Sequence, residues 1–341
     1  MLMDRAMQDA QPPPRLSSSV DLEQDGRQIG ELRLVHSDDR HAFGHIPIPI
    51  AVLRNGFGPT LLLVAGIHGD EYEGQIALLK LIHALDPRAL TGRVIVLPSL
   101  NYPAVAAARR VSPLDGKNLN RAFLGDPQGG PTATIADYVI RLLLPLADAV
   151  FDLHSGGSTA VYADCALAYR AGDAALHGRN LALADATGLG LLWLAAVGSP
   201  SLNAAALAQG VPMIAAEFGG GGVAGVASLA AAETAVEGVM RATGVLPGGV
   251  PPPTAPARVV EITGPACYVA APGEGLFEPL VQPGDEVAYG ETVGRLHHWS
   301  EPDRPPRDLA AFVSGTVLAC AARSPARRGD HLAVVAQPTE R

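Results

Sequence analysis

His68 and Glu71, three residues apart in GIHGDEYEG over residues 66–74, are an imidazole and a carboxylate that can reach one zinc ion together. Two ligands do not make a site. Taken alone, the stretch, with Asp70 and Glu73 beside it, reads more readily as a solvated loop. Two further stretches shift that balance. AVFDLHSGG, residues 149–157, presents His154 after an apolar run, with Asp152 two residues earlier and therefore on the same face of a strand. There its carboxylate can orient a ligand or a neighbouring group. VPMIAAEFGGGG, residues 211–222, presents Glu217 at the end of a third apolar run. Two imidazoles, one carboxylate ligand and a separate carboxylate base are what hydrolytic zinc chemistry requires.

Each of these groups needs an element to hold it. Leu61–Ala65 reads as a buried strand, and Gly66, Gly69 and Gly74 let the chain turn sharply before a helix that starts near Gln75. His68 and Glu71 then lie at the carboxyl end of a strand, where open α/β sheets place ligand sites. The helix carries Ile76, Leu79, Ile82 and Leu85 at helical spacing, with Lys80 and His83 on its wet side. A second strand is expected over 93–101, and helices over 132–144, 173–187, 200–209 and 228–244, with a strand near 161–169. This alternation predicts an α/β core. The aperiodic stretch after Asn101 offers Arg109, Arg110, Asn120 and Arg121. Loops of such length inside a compact domain are usually functional. Trp193 and Tyr162 are equally core or contact residues, and His36, His41 and His45 are read as structural.

The expected organisation is a disordered lead over 1–25, a catalytic domain over 26–245, a linker over 246–257 (LPGGVPPPTAPA) and a C-terminal β domain over 258–341. That last part shows short apolar alternations broken by PGE, PGD and YGE turns. The lead has Pro12, Pro13 and Pro14 and no apolar signal-peptide core, so a cytoplasmic protein is expected. The longest apolar runs fall far short of a bilayer span, which predicts no membrane partner. A formal net charge of −9 argues against nucleic acid, whose binding relies on clustered Lys and Arg. Lysine occurs only at Lys80 and Lys117, so lysine-attached cofactors have two candidates and none in the C-terminal part. Cys165, Cys267 and Cys320 form no C-x-x-C pair and read as buried thiols. Composition leaves open whether the chain forms a homo-oligomer.

Four elements in order, His68 to Glu71 as H-G-x-E, Asn120 and Arg121 as N-R, Asp152 to His154 as D-L-H, and Glu217, resemble the succinylglutamate desuccinylase/aspartoacylase family, relatives of the zinc carboxypeptidases. Within that family GPTLLLVAGIHGDEYEGQIAL, RRVSPLDGKNLNRAF and DLHSGG together resemble the N-acetyl-diaminobutyrate deacetylases of ectoine breakdown. The resemblance implies an α/β fold with a carboxypeptidase-like mixed sheet flanked by helices and a barrel-sandwich-like C-terminal domain. It implies one Zn2+ per chain held by His68, Glu71 and His154, with Glu217 as catalytic base. Asn120 and Arg121 would hold the substrate carboxylate. Arg110 would stabilise the oxyanion, with Arg109 as the alternative because the spacing to Arg121 is longer than in aspartoacylase-like members.

The activity so implied is hydrolysis of the amide of a small N-acyl amino acid, with N-acetyl-2,4-diaminobutyrate as substrate. Its rivals are a deacylase of an acidic amino acid, a metallocarboxypeptidase and an inactive ligand-binding homologue. A second, cationic amine on the substrate calls for an acid, for which Asp70, Glu73 and Asp115 are candidates. A desuccinylase would instead need an extra cation, which Arg109 could supply.

Overall fold

The computed structural model describes residues 15–39, 41–250 and 256–341, with the side chain of His41 outside the description. Of the lead expected to be disordered, residues 1–14 lie outside the described residues, but the part from Leu16 onward is ordered. Strand β1 (Leu16–Ser18) pairs antiparallel with β2 (Gly26–Asp38), and Leu16 is buried. The serine run orders this segment. Ser18 Oγ accepts from the Val20 amide at 3.1 Å, the local side-chain to backbone bonding that short hydroxyl residues favour, and Ser19 Oγ accepts from the more distant Glu31 amide in β2 at 2.8 Å.

Strand β3 (His41–Asn55) returns along β2 and pairs antiparallel with it. Then come β4 (Thr60–Ala65), β5 (Gly92–Leu97), β6 (Ala149–His154), β7 (Ala160–Tyr169), β8 (Leu191–Ala195) and β9 (Met213–Gly220). Their order in the sheet is β1-β2-β3-β5-β4-β6-β9-β7-β8. The central strands β5, β4, β6 and β9 are parallel, and β3 and β7 run antiparallel to their neighbours in that group. The sheet is therefore mixed. Every residue of β4, β5 and β6 is buried, as continuous branched-aliphatic runs require when both faces are covered.

Strand alternation divides those residues between two cores. Leu61, Leu63, Phe151 and Leu153 face one side, packed under α1 (Glu73–Ala84), α4 (Ala174–Ala186) and α6 (Val226–Ala242). Leu62, Val64, Ile95 and Val150 face the other, with α3 (Pro131–Tyr138) and α5 (Leu202–Ala208). The short helix α2 (Tyr102–Ala106) follows β5.

The apolar stripe expected on α1 is rotated. Ile82 and Leu85 pack against the core as expected, but Leu79 is 52% exposed, and the most deeply buried side is Gly74, Ala77 and Leu78. The helix opens at Glu73, and Gly74 lies so close to Leu153 that a Cβ there would overlap the Leu153 side chain. Small residues bring the helix down on the sheet and set its rotation. Lys80 and His83 are exposed as expected, and Lys80 pairs with Glu233 of α6. The helix expected over 132–144 stays α-helical only to Tyr138 and continues as a π turn over Val139–Leu143 and a 3-10 turn over Leu144–Leu146. Pro145 cannot donate a backbone hydrogen bond, so the α pattern cannot run through it.

The C-terminal part is all β, as its turns predicted: β10 (Arg258–Glu261), β11 (Tyr268–Ala270), β12 (Gly275–Pro279), β13 (Glu286–Val287), β14 (Thr292–His297), β15 (Arg307–Ala310), β16 (Gly315–Ala321), β17 (Pro325–Ala326) and β18 (His331–Pro338). It has its own core around Phe277, Val293, Leu296 and Val335, and a four-stranded sheet β15-β14-β12-β17. Its backbone hydrogen bonding nevertheless joins the first part. β10 pairs parallel with β8, β16 pairs antiparallel with β7, and β18 bridges β10 to β16. Strands β7, β8, β10, β18 and β16 thus close a ring around Cys165, Leu191, Val260 and Leu318. Of the expected linker, 246–250 form no regular element and 251–255 lie outside the described residues. All three cysteines are free and buried. No helix among the described residues is long and apolar enough to cross a membrane.

Candidate active site

The parallel register decides which side chains meet. β6 and β9 align Asp152 with Ala215 and His154 with Glu217. Residues in register share a face, so Asp152, His154 and Glu217 project to the same side, at the carboxyl ends of β6 and β9. After β4 the chain turns at Gly66, with φ of 69°, a conformation glycine adopts without strain. It then passes so close to α2 that a Cβ on Gly69 would overlap the carbonyl of Ala104. The Gly69 amide donates to the Arg109 carbonyl at 2.8 Å, and Asp70 accepts from the Ser158 amide at 2.9 Å. The loop carrying His68 and Glu71 is thereby fastened between the loop after α2 and the loop after β6.

The ligating atoms of His68, Glu71 and His154 lie within 4.8 Å of one another, and all three residues are buried. His68 Nδ1 is 2.6 Å from Glu71 Oε1, and His154 Nδ1 is 2.8 Å from Glu71 Oε2. The opposite ring nitrogens also face oxygen. His154 Nε2 is 2.8 Å from Asp152 Oδ2, and His68 Nε2 is 3.1 Å from the side-chain oxygen of Asn118. A neutral imidazole carries one N–H and one lone pair. With acceptors on both sides, each ring needs either a second proton or a cation in front of its Nδ1. The outer partners Asp152 and Asn118 fix the N–H on Nε2 and leave Nδ1 as a ligand, the usual second partner of a metal-binding histidine. The group fits a divalent metal on this chemistry.

The electrostatics agree. Burial opposes charge on Glu71, but the His68 and His154 rings outweigh it and hold the carboxyl well below the usual range. Burial likewise opposes charge on His154, and Asp152 and Glu71 outweigh it to raise the imidazole well above its ordinary value. Two carboxylates in contact with the buried His154 ring attract positive charge there, whether a proton or a metal. Glu217 behaves differently: burial pushes it up to about 8, opposed by His154 and reinforced by Glu71. Its Oε2 is shielded from solvent and has no hydrogen-bond partner among the described residues.

His68, Glu71, His154, Glu217, Arg110, Asn120 and Arg121 line one cavity of about 450 Å³. Between the two arginines, both of them exposed, Arg110 lines it and its Nη1 lies 3.2 Å from Glu71 Oε1, whereas Arg109 is absent from the lining. Asn120 Oδ1 accepts from the Leu202 amide at 3.1 Å, leaving its amide nitrogen to donate. Arg121 Nη1 donates to the Asn120 carbonyl at 2.7 Å.

The three acids considered for a substrate amine are all elsewhere. Asp70 is buried against Ser158, Glu73 is fully buried and accepts from the Gly225 amide at 3.3 Å, and Asp115 caps Thr132. Each is occupied in fastening a loop, and none lines the cavity. Residues not foreseen include Asn118, whose oxygen also accepts from the Asn120 amide in a local turn, and Tyr169. Their signals were an Asn two residues before Asn120 and an aromatic at the end of a strand.

An α/β protein with a mixed sheet, and a His-Glu-His group able to hold a metal at the ends of its parallel strands, is the class that fold and cavity define. The sequence model of the succinylglutamate desuccinylase/aspartoacylase catalytic domain matches residues 57–243. Over 332 residues, 97% of each chain, the sequence is 38% identical to N-alpha-acetyl-L-2,4-diaminobutyric acid deacetylase of Halomonas elongata. The fold is similar to the product-bound ectoine utilization protein EutE (DoeB) of Ruegeria pomeroyi, with a TM-score of 0.92 and 35% identity over 95% of this chain and 99% of that one. It is also similar to a succinylglutamate desuccinylase/aspartoacylase of Rhodobacter sphaeroides, with a TM-score of 0.90 and 34% identity over 95% of this chain and 100% of that one. The chain belongs to the succinylglutamate desuccinylase/aspartoacylase family.

Proposed function

We propose that this chain is a zinc-dependent amidohydrolase that removes the acetyl group from Nα-acetyl-L-2,4-diaminobutyrate. The observation that carries the reading is the cavity in which His68, Glu71 and His154 converge while the buried Glu217 Oε2 stands without a partner. Three protein ligands and a separate base suit hydrolysis better than structural metal binding, which takes four ligands. The substrate assignment is supported by likeness over 97% of both chains to a deacetylase of that name.

His68, Glu71 and His154 would hold the zinc, which when bound lowers the pKa of water and polarises a carbonyl. The other side chains do the rest. Asn120, through its free amide nitrogen, and Arg121 grip the substrate α-carboxylate and so bring the neighbouring acetamide over the His-Glu-His group. Glu217 takes the proton of the attacking water and passes it to the leaving amine. A base whose affinity for protons is raised by burial is suited to both halves of that transfer. Arg110, close to Glu71, offsets charge on the substrate oxygen as the carbon becomes tetrahedral.

The C-terminal strands, read as a barrel-sandwich-like cover, restrict the cavity to a small substrate. β16 pairs with Ala160–Tyr162 of the cavity wall, and Arg323 donates to the Ser158 carbonyl at 3.0 Å. The acidic-substrate alternative needs a third cation in the cavity, and Arg109 does not supply one.

Two substitutions separate binding from chemistry. Arg110→Ala is expected to lower kcat about 100-fold with KM little changed, the effect of losing one oxyanion donor. Arg121→Lys keeps the charge but loses the two-pronged grip, so KM should rise about tenfold with kcat largely kept. Steady-state kinetics on both variants checks the pair, and the reverse pattern would exchange their roles. The reading as a whole is tested by acetate release from Nα-acetyl-diaminobutyrate. Turnover should vanish on removing metal with a chelator and return with added zinc. Undiminished turnover in metal-free protein would contradict it.

A further inference from the structure

The substrate proposed above carries a free ammonium at the end of its side chain, and the cavity has no carboxylate to spare for it. Among the lining residues the carboxylates are Glu71, engaged by both histidines, and Glu217, assigned to proton transfer. What the cavity offers instead is an aromatic wall. β7 and β9 align Cys165 with Glu217, and β7 and β8 align Leu167 with Trp193 and Tyr169 with Ala195. Alternate residues of a strand share a face, so Tyr169 and Trp193 stand on the face that carries Glu217, and both line the cavity half-buried. No hydrogen bond or ion pair of the Tyr169 or Trp193 side chain ties it to another group among those described.

With the α-carboxylate at Asn120 and Arg121 and the acetamide at the His-Glu-His group, this wall is a surface left for the amino-acid side chain. The negative face of an aromatic ring attracts a cation and repels an anion, and the attraction grows when water is partly excluded. We propose that Tyr169 and Trp193 form an aromatic subsite for the cationic end of the substrate, and that this wall, in place of a carboxylate, selects a diamino acid over a diacid. The inference rests on the deacetylase reading and adds the residues that determine its specificity. The C-terminal strands contribute indirectly: Trp193 aligns with Val260 of β10 and packs in the ring core with Leu318, so the second half of the chain backs one side of the subsite.

The test pairs Nα-acetyl-diaminobutyrate with N-acetylnorvaline, in which a methyl group replaces the ammonium at the same chain length. Wild-type protein should prefer the cationic substrate in kcat/KM. In Tyr169→Leu and Trp193→Leu, kcat/KM for the cationic substrate should fall about tenfold, while that for N-acetylnorvaline stays within about twofold, since an apolar side chain remains and the ring face is lost. Tyr169→Phe and Trp193→Phe, which keep a ring, should restore most of the preference. N-acetylnorvaline turnover serves as the internal measure of folding, and Tyr169, outside the ring core, is the safer of the two sites. Equal losses on both substrates, or an unchanged preference in both leucine variants, would overturn the aromatic subsite and leave the deacetylase reading standing. A wild-type protein inactive on both substrates would remove the deacetylase reading and the subsite with it.

Discussion

Glu217→Gln is expected to yield a folded protein with its full complement of metal and a kcat reduced about 10³-fold to 10⁴-fold, the upper range for loss of a general acid–base group. The amide is isosteric with the carboxylate, and Oε2 has no hydrogen-bond partner to lose among the described residues. The backbone of Glu217 stays in register between β6 and β7, so the scaffold should be untouched. Glutamine cannot take a proton from water, and that deficit falls on the chemical step while leaving substrate binding intact. KM should therefore change little. Measured kcat together with metal content decides the matter. Near-normal turnover in metal-loaded Glu217→Gln protein would remove Glu217 from the mechanism.

His154→Ala should abolish activity by a different route. It deletes one of three converging ligands and leaves Glu71 Oε2 with the Ser155 amide at 3.2 Å as its remaining partner. It also strands Asp152, which is 1% exposed and loses the imidazole at 2.8 Å. A buried polar group left without a partner costs about 1–3 kcal/mol, more when charged, so a lower melting temperature should accompany the loss. Asp152→Asn keeps the volume and a hydrogen-bonding group beside His154 and isolates the orienting role. Changes to such outer partners typically cost about tenfold to 100-fold in metal affinity. Elemental analysis should find metal well below one equivalent per chain in His154→Ala, and an intermediate affinity in Asp152→Asn. Full metal content in His154→Ala would exclude that residue from the ligand group.

The candidate site was legible in the sequence as a set of strand ends. Each of His68, His154 and Glu217 follows an apolar run and precedes glycine, and the parallel register of β4, β6 and β9 turns that linear signal into a cluster. Asp152 was legible for the same reason, through period-two alternation. The rotation of α1 was not. It depends on Gly74 lying against Leu153, a contact 79 positions apart in the chain that hydrophobic spacing within one helix does not report.

The acids around the site misled in the opposite sense. Asp70, Glu73 and Asp115 look like loop charges free to meet a ligand, yet each accepts from a backbone amide, that of Ser158 in a loop, and those of Gly225 and Thr132 at the starts of helices. Composition suggested a linker at 246–257, but the hydrogen bonds that carry the sheet from β8 into β10 and from β7 into β16 left no mark on it. Pairing between distant strands leaves no local trace, and those pairings set Trp193 and Tyr162 at the junction of ring and cavity.

The most direct measurement is kcat/KM, on zinc-reconstituted protein, for Nα-acetyl-2,4-diaminobutyrate, N-acetylaspartate and N-succinylglutamate side by side. The cavity described here, with its carboxylate grip at Asn120 and Arg121, no third cation and an aromatic wall, predicts that the acetylated diamino acid is preferred over both diacids. A preference for either diacid would contradict that account.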